Sequence, residues 1–302
     1  PYAKKLAAAQ GIDLSVVTGT GPTGRIVERD IREYSAQAPL KASPLAVKVA
    51  AEHQVNLAEI QKETRIMKAD VLAAVKPATA AKPLVGIRKV IAERMALSWN
   101  TAPHVHLTVE VDMTAALELK ENLARATGQK ASVTELVVKC AAYALREMPV
   151  VNASLMDNGI IVHEEVNIGI AVALDDGLIV PVVRNADQKN LSQLREAIVS
   201  LGGKARSGKL SPDEISGGTF TVTNLGMFGT DHFTPVINPP ESAILGVCRI
   251  VEKPVVLAGA VVIRPMSNFI LGFDHRLIDG AVGAKFMARL RELLENPSLL
   301  II

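Results

Sequence analysis

Cysteine is scarce in this chain. Cys140 and Cys248 are the only two in 302 residues. They lie far apart and in no metal-ligand spacing, which leaves a cysteine-built metal site out of account. Cys140 falls in a helical pattern and Cys248 in a strand-like one, so both read as buried reduced thiols in a reducing compartment. Charge of one sign is not in excess either. The formal net charge is +2, which gives no global pull toward nucleic acid or a membrane surface. No apolar run reaches the ~18 residues of a membrane span, and no signal peptide is seen. A P-loop and a G-x-G-x-x-G between strand and helix are also missing, so nucleotide hydrolysis and dinucleotide binding have little support. The chain opens on Pro1 without a Met, and a fragment or processed product is expected.

What is present is apolar: 49% of the residues, enough to bury a sizeable core. The length suits one large domain plus something smaller. The first 76 residues hold a repeat. PYAKKLAAAQGIDLSVV, TGTGPTG and RIVERDI are followed by PLAVKVAAEHQVNLAEI, QKET and RIMKADV. Pro1 aligns with Pro44, Arg25 with Arg65 and Asp30 with Asp70. Each copy reads as helix, loop, helix. Pro opens the first helix, where its missing N–H costs nothing, and Asp30 and Asp70 sit where a carboxylate favours the helix dipole. Ala/Pro-rich stretches, 36–42 and 76–84, separate the copies from each other and from the rest of the chain.

From Gly86 onward the pattern is α/β. Helices are expected over 88–99, 114–126, 191–205 and 280–295. Another starts at the capping box Ser132-Val133-Thr134-Glu135 and stops before Pro149. Strands are expected over 104–112, 166–174, 178–183, 219–223, 243–250, 255–263 and 267–273. Strands and helices mixed in this way make a sheet with helices packed on it. His104 and His106 share one strand face, but no third metal ligand is evident, so no metal is expected.

The run Asp274-His275-Arg276-Leu277-Ile278-Asp279-Gly280 lies between the last strand and the last helix. It resembles the H-x-x-x-D-G signature of the dihydrolipoamide acyltransferases, the core components of 2-oxo acid dehydrogenase complexes, which share it with chloramphenicol acetyltransferases. RKVIAERM, GLIVPVV, GGTFTVTNLGMFG and PVINPPESAILG add to the resemblance, which covers almost the whole chain. It implies a chloramphenicol-acetyltransferase-like catalytic domain over 86–302, after a peripheral subunit-binding domain over 1–35. A second, degenerate copy of that module spans 43–76, and a linker spans 77–85. No lipoyl domain and no Asp-Lys-Ala motif is present. The lipoyl group is therefore expected on a domain cut off at or before Pro1, or on another chain.

Acyl exchange between a thioester and a thiol needs a proton acceptor, because a free thiol of pKa ~8.5 is only a few per cent ionised at neutral pH. An imidazole suits that task, and the resemblance makes His275 the general base. It puts Thr223, the residue before Asn in FTVTN, in the role of oxyanion donor. Asp279 either supports the catalytic geometry or caps the last helix. Asn224 either contacts coenzyme A or forms a turn. Lys120, Ser132 and Arg249 align with coenzyme-contact positions. Each also has a plain reading, as a solvated helix lysine, a helix cap and an edge-strand charge. Asp274 and Arg276 are expected to pair.

Lys4 and Arg25 match two basic positions through which the family's docking module grips a decarboxylase or dihydrolipoyl dehydrogenase. Lys4 also fits a solvated helix face. Ala8 stands where many relatives carry a third basic residue. In the second copy Val47 and Ala51 replace Lys4 and Ala8, so that copy is either an altered docking module or a spacer. The apolar tail LLENPSLLII is expected to plug into a neighbour. Homotrimers should join into a hollow core, with the histidine of one subunit facing the hydroxyl of the next. The acyl group is expected to be acetyl, and the location cytoplasmic, or the mitochondrial matrix in a eukaryote. A non-catalytic scaffold that binds a dehydrogenase subunit is the main alternative, opposed by the retained His275 and Thr223. A free-standing acetyltransferase is the other, opposed by the repeat and the tail.

Overall fold

The computed structural model describes all residues except 1, 11, 38–41, 61, 63, 76–82, 129–131, 175–176 and 302. It divides into two units, Pro1–Pro83 and Leu84–Ile302. Most of the linker expected over 77–85 lies outside the described residues.

In the first unit, α1 (Tyr2–Gln10) and α2 (Glu28–Gln37) flank a one-turn 3₁₀ helix, and α3 (Pro44–Glu52) and α4 (Lys68–Ala74) flank another. Each copy closes its own small core. Ala7 and Ile31 are buried in the first, with Ala3, Leu6 and Ile26 against them. Their counterparts Ala50 and Val71, with Ala46, Val49 and Ile66, make the second. The turns match too: Asp13 accepts from the Ser15 N–H and Asn56 from the Ala58 N–H. What differs is the loop. In the first copy Asp30 accepts from the Thr20 and Val27 N–H groups, both at 2.9 Å, and from the Thr20 hydroxyl. The Thr20 hydroxyl above all holds the Asp30 carboxyl below its ordinary range. The loop reaches this position through left-handed backbone at Thr23 and Gly24 (φ 62° and 76°). The second copy has no such glycines, and Lys62 instead meets Asp70 at 2.5 Å.

The second unit is built on a six-stranded sheet in the order β1-β10-β9-β8-β4-β7. Its strands are β1 (His104–Asp112), β4 (Ile168–Ile170), β7 (Val182–Val183), β8 (Phe220–Asn224), β9 (Ala243–Leu257) and β10 (Ala260–Asp274). Two small hairpins accompany it, β2 (Ala153–Met156) with β3 (Gly159–Val162), and β5 (Val172–Leu174) with β6 (Gly177–Ile179). The helices are α5 (Gly86–Thr101), α6 (Thr114–Thr127), α7 (Val133–Glu147), α8 (Leu191–Arg206) and α9 (Gly280–Glu295).

Alternation along the strands separates two faces. Leu107, Phe220, Val222, Leu245, Val247, Phe269, Leu271 and Phe273 join residues of α6, α7, α8 and α9 in one core. The residues between them (His104, His106, Thr221, Thr223, Gly246 and Gly272) turn to the other face. There the irregular segment 230–241 lies across the sheet. It can lie flat because two strand residues lack side chains. A Cβ on Gly246 would stand 2.8 Å from the Phe233 ring, and one on Gly272 would stand 3.0 Å from the Pro235 carbonyl. The segment is fastened there. The Ser98 hydroxyl donates to the Ile237 carbonyl at 2.6 Å, His104 Nε2 accepts from the Ile237 N–H at 3.2 Å, and His106 Nε2 bonds the Pro235 carbonyl at 2.9 Å. The two histidines are thus clasps for a loop.

Several strand expectations change. The run 166–174 is two strands, β4 and β5, in different sheets, and 178–183 is likewise β6 and β7. The chain leaves the main sheet at Ala171, whose N–H still bonds the Val222 carbonyl, and returns at Pro181, which has no N–H to give a ladder. Residues 175–176, between β5 and β6, lie outside the described residues. The strands expected over 243–250, 255–263 and 267–273 are one long hairpin, β9 and β10. Its turn, Ala258-Gly259, has positive φ at both residues (48° and 84°), and an alanine there gives little turn signal. The β2–β3 hairpin is not among the expected strands, although Asp157-Asn158-Gly159 at its turn is a hairpin signal. A short 3₁₀ helix, Pro297–Ile301, folds back so that Leu299 and Leu300 pack on the chain's own core.

Candidate active site

Thr223 stands on β8 with its side chain on the loop-covered face, 8% exposed. It forms part of the wall of two cavities. One, of about 510 Å³, is also lined by Ser132, Thr134, Asn224, Met227 and Phe228. The other, of about 440 Å³, is mostly apolar and is also lined by Val90, Ile91, Thr221, Phe233 and Ile244. Ala171 and Leu178 belong to both walls as well. A hydroxyl therefore sits where two ligand-sized spaces adjoin.

Asn224, next in the strand, is committed on both sides of its amide. Its Oδ1 accepts from the Gly226 N–H at 2.9 Å and its Nδ2 donates to the Thr134 hydroxyl at 3.1 Å. It therefore forms the turn after β8 and ties it to the start of α7. Ser132 caps α7, its N–H held by Glu135 at 2.7 Å, and faces the larger cavity. Lys120 on α6 shares a shallow hollow with Ser132. Arg249, also aligned with a coenzyme-contact position, is placed differently. It does not line either cavity, and its guanidinium is gripped by Asp231 in a two-point pair at 2.5 and 3.0 Å.

His275 lies just past the end of β10. Its N–H bonds the Pro103 carbonyl at 3.0 Å, its side chain is exposed, and its ring lies 6.0 Å from that of Phe273. The turn around it is braced by its neighbours. Buried Asp274 takes the Arg276 N–H at 2.9 Å and pairs with the Arg276 guanidinium at 2.6 Å. That hydrogen bond raises the Arg276 pKa. Asp279 caps α9, its carboxylate accepting from the Val282 N–H at 3.0 Å.

Thr223 and His275 do not meet within one chain. Thr223 pairs with Gly246 across β8 and β9, and Gly246 with Ile270 across β9 and β10, five residues before His275. Strand geometry then puts them roughly 15–20 Å apart. Lys4 and Arg25 belong to the first unit, both exposed.

Sequence reading missed two features of this site. Glu241 is 6% exposed and unannounced by any pattern but its place after two prolines. Phe233 lies over Gly246, and only the loop's path reveals it.

A hydroxyl between two ligand spaces, and a histidine on a braced turn at a sheet end, define an acyltransferase of α/β architecture. Residues 76–302 match the family model of the 2-oxoacid dehydrogenases acyltransferase catalytic domain, and residues 1–32 match that of an E3-binding domain. The chain belongs to this acyltransferase family, and its fold is that of dihydrolipoamide acetyltransferase cores. It is 39% identical over 308 residues to the dihydrolipoyllysine-residue acetyltransferase component of the pyruvate dehydrogenase complex of Staphylococcus aureus, covering all of this chain and 70% of that one. It is 37% identical to a dihydrolipoamide acetyltransferase of known structure from Azotobacter vinelandii (TM-score 0.71; 74% of this chain, 94% of that one). It is 38% identical to the cubic core of a pyruvate dehydrogenase multienzyme complex (TM-score 0.71; 74% and 94%). In the Azotobacter protein a serine, a histidine and an asparagine have been investigated for their role in the catalytic mechanism. They follow one another at 52 and then four positions, the spacing of Thr223, His275 and Asp279 here.

Proposed function

We propose that this acyltransferase moves an acetyl group between coenzyme A and a dihydrolipoyl group, within the core of a pyruvate- or acetoin-type dehydrogenase complex. His275 takes the proton of the attacking thiol. The thiolate adds to the thioester carbonyl carbon, and the Thr223 hydroxyl donates to the oxyanion that forms. Collapse expels the other sulfur as a thiolate, which takes the proton back from His275. Ser132 and Lys120 meet the coenzyme on the side of the larger cavity, and the dihydrolipoyl arm enters by the apolar one. Asn224 and Asp279 act by holding the turn after β8 and the start of α9. Coenzyme A carries phosphates, and the cations for them are Arg195 and Arg206 in the wall of the larger cavity and Lys120 in the hollow it shares with Ser132.

The observation that carries this reading is the position of Thr223 in the wall shared by both cavities. Its distance from His275 in one chain supports a site completed by a second copy, so that one subunit provides the base and the next the donor. A trimer satisfies that by head-to-tail closure, and the cubic core formed by a similar chain supports further assembly. Lys4 and Arg25 of the first module dock dihydrolipoyl dehydrogenase or the decarboxylase. The second copy, 43–76, keeps the same core but presents Val47, half exposed, at the Lys4 position, so its docking is altered or lost.

The test is transfer from acetyl-CoA to free dihydrolipoamide by the assembled protein, beside His275→Ala, repeated with succinyl-CoA and isobutyryl-CoA. We expect acetyl transfer that falls about 10²–10⁴-fold in the variant. An assembled but inactive wild type would sink the enzymatic reading.

A further inference from the structure

Glu241 is a buried carboxyl for which the acyl-transfer scheme has no use. It sits at the end of the segment that covers the sheet. The Thr221 hydroxyl is 2.6 Å from its Oε2, and the Asn238 amide donates to its Oε1 at 2.9 Å. Asn238 is itself held by Arg94 of α5, whose guanidinium donates to Asn238 Oδ1 at 3.0 Å and also bonds the Pro239 carbonyl. Thr221 lies two residues before Thr223 on the same strand face, about 7 Å away, and both line the apolar cavity.

The other groups around Glu241 are few. Arg94 is the cation that faces it, from α5. On the β2 side Glu241 pairs by backbone with Ser154, whose hydroxyl is 2.8 Å from His163 Nε2. Gly218 packs on its Oε1, and Val182 of β7 lies against Gly218. Burial pushes the Glu241 carboxyl up to about 7, against the lowering effect of the Thr221 and Asn238 hydrogen bonds and the Arg94 charge.

A carboxylate can only accept hydrogen bonds, whereas a neutral carboxyl has one O–H to give. A charged Glu241 therefore obliges Thr221 to donate to it. A neutral Glu241 can donate to Thr221 Oγ1 and release the threonine hydrogen, and the cavity is then the open direction for it. We propose that Glu241 is a positioning residue for acyl transfer: its protonation turns the Thr221 hydroxyl toward the cavity, where it donates to a polar group of the thiol-bearing arm. The proposal rests on the reading of the Thr223 cavity as the place where the dihydrolipoyl arm enters. Asp274, the other buried carboxylate near the sheet end, has no such freedom because Arg276 pairs with it.

The experiment is the KM for dihydrolipoamide, with acetyl-CoA as donor, from pH 6 to pH 8. The wild type, Glu241→Gln and Thr221→Val are compared as assembled particles. The Gln amide donates to Thr221 as a neutral carboxyl would. The wild-type KM should rise about fivefold over this range, the size of one neutral hydrogen bond. The Glu241→Gln KM should stay low and flat while its kcat profile stays that of the wild type. The Thr221→Val KM should be high and flat. In infrared titration, a protonated-carboxyl band absent from Glu241→Gln should disappear around neutral pH. A Glu241→Gln KM profile that follows the wild type, a Thr221→Val KM that is unchanged, or no such band overturns the proposal while leaving acetyl transfer standing. If Glu241→Gln does not assemble, Thr221→Val and the wild-type band decide. An inactive wild type overturns both readings.

Discussion

Thr223 lies on β8 and His275 just past the end of β10, two strand steps across the sheet and five residues along the chain from the position opposite Thr223. Each is held firmly where it is. Thr223 is fixed within β8, and His275 by its backbone bond to Pro103 and by the Asp274–Arg276 pair beside it. Under the proposed mechanism, one chain then offers two half-sites.

Two half-sites predict complementation. Thr223→Ala should lower transfer about 10²–10³-fold, the usual cost of losing an oxyanion donor, and Thr223→Ser should keep most of it. His275→Ala and Thr223→Ala, each nearly inactive alone, should regain activity when unfolded and reassembled together. Random mixing in a closed ring restores about a quarter of the sites. Activity that stays at the level of the parents after mixing, with mixed particles demonstrated by mass spectrometry, would show that the groups meet within one chain.

The close approach of Phe233 to Gly246 gives a second prediction. Gly246→Ala puts a methyl 2.8 Å from the ring, and overpacking of this kind costs about 1–3 kcal/mol. The ring would shift into the cavity beside Thr223, so the KM for dihydrolipoamide should rise. Phe233→Leu should relieve the clash, so that the double variant is more stable than the sum of the single effects requires. Denaturant unfolding of all four proteins measures the coupling, and strict additivity would refute the contact.

Much of this architecture is legible in the sequence. The cap at Ser132, the αL stop at Gly128 and the strand 104–112 all lie where local chemistry puts them, because a cap, a C-terminal glycine and a period of two act within a few residues. The role of His104 and His106 is not legible. Period two correctly puts them on one face, but their bonds run to residues more than 100 positions away. The ion pair of Arg249 is illegible for the same reason: its partner Asp231 comes from the covering loop. Local signals also cannot tell that 255–263 turns back on itself, since Ala258 looks like a strand residue. The motif around His275 is readable because its parts are neighbours in sequence. Asp274 and Arg276 pair as expected, and Asp279 caps α9.

That pair supports a third prediction. Asp274 is 4% exposed, and Arg276→Met would leave its carboxylate buried without its cation. The full cost of breaking a buried pair is about 3–5 kcal/mol, but the arginine side chain is 43% exposed. Solvent screening then brings the expectation to about 1–2 kcal/mol. The histidine turn should loosen with it, so kcat should fall more than KM rises. A variant with wild-type Tm and wild-type kcat would mean the pair is only ornamental to the turn.

The fourth prediction separates the two N-terminal copies. Both close the same core, but their exposed positions differ: Lys4 and Arg25 in one, Val47 and Arg65 in the other. Docking through cations should be weakened by salt. Lys4→Ala with Arg25→Ala should weaken capture of dihydrolipoyl dehydrogenase or the decarboxylase by at least about tenfold, as loss of two charge-assisted contacts would. Val47→Ala with Arg65→Ala should leave it unchanged. Calorimetry on the assembled protein at low and moderate salt reads both. Equal losses from the two double variants would make the second copy a working docking module, and the replacement of Lys4 by Val47 would then be a change of partner chemistry rather than a loss of function.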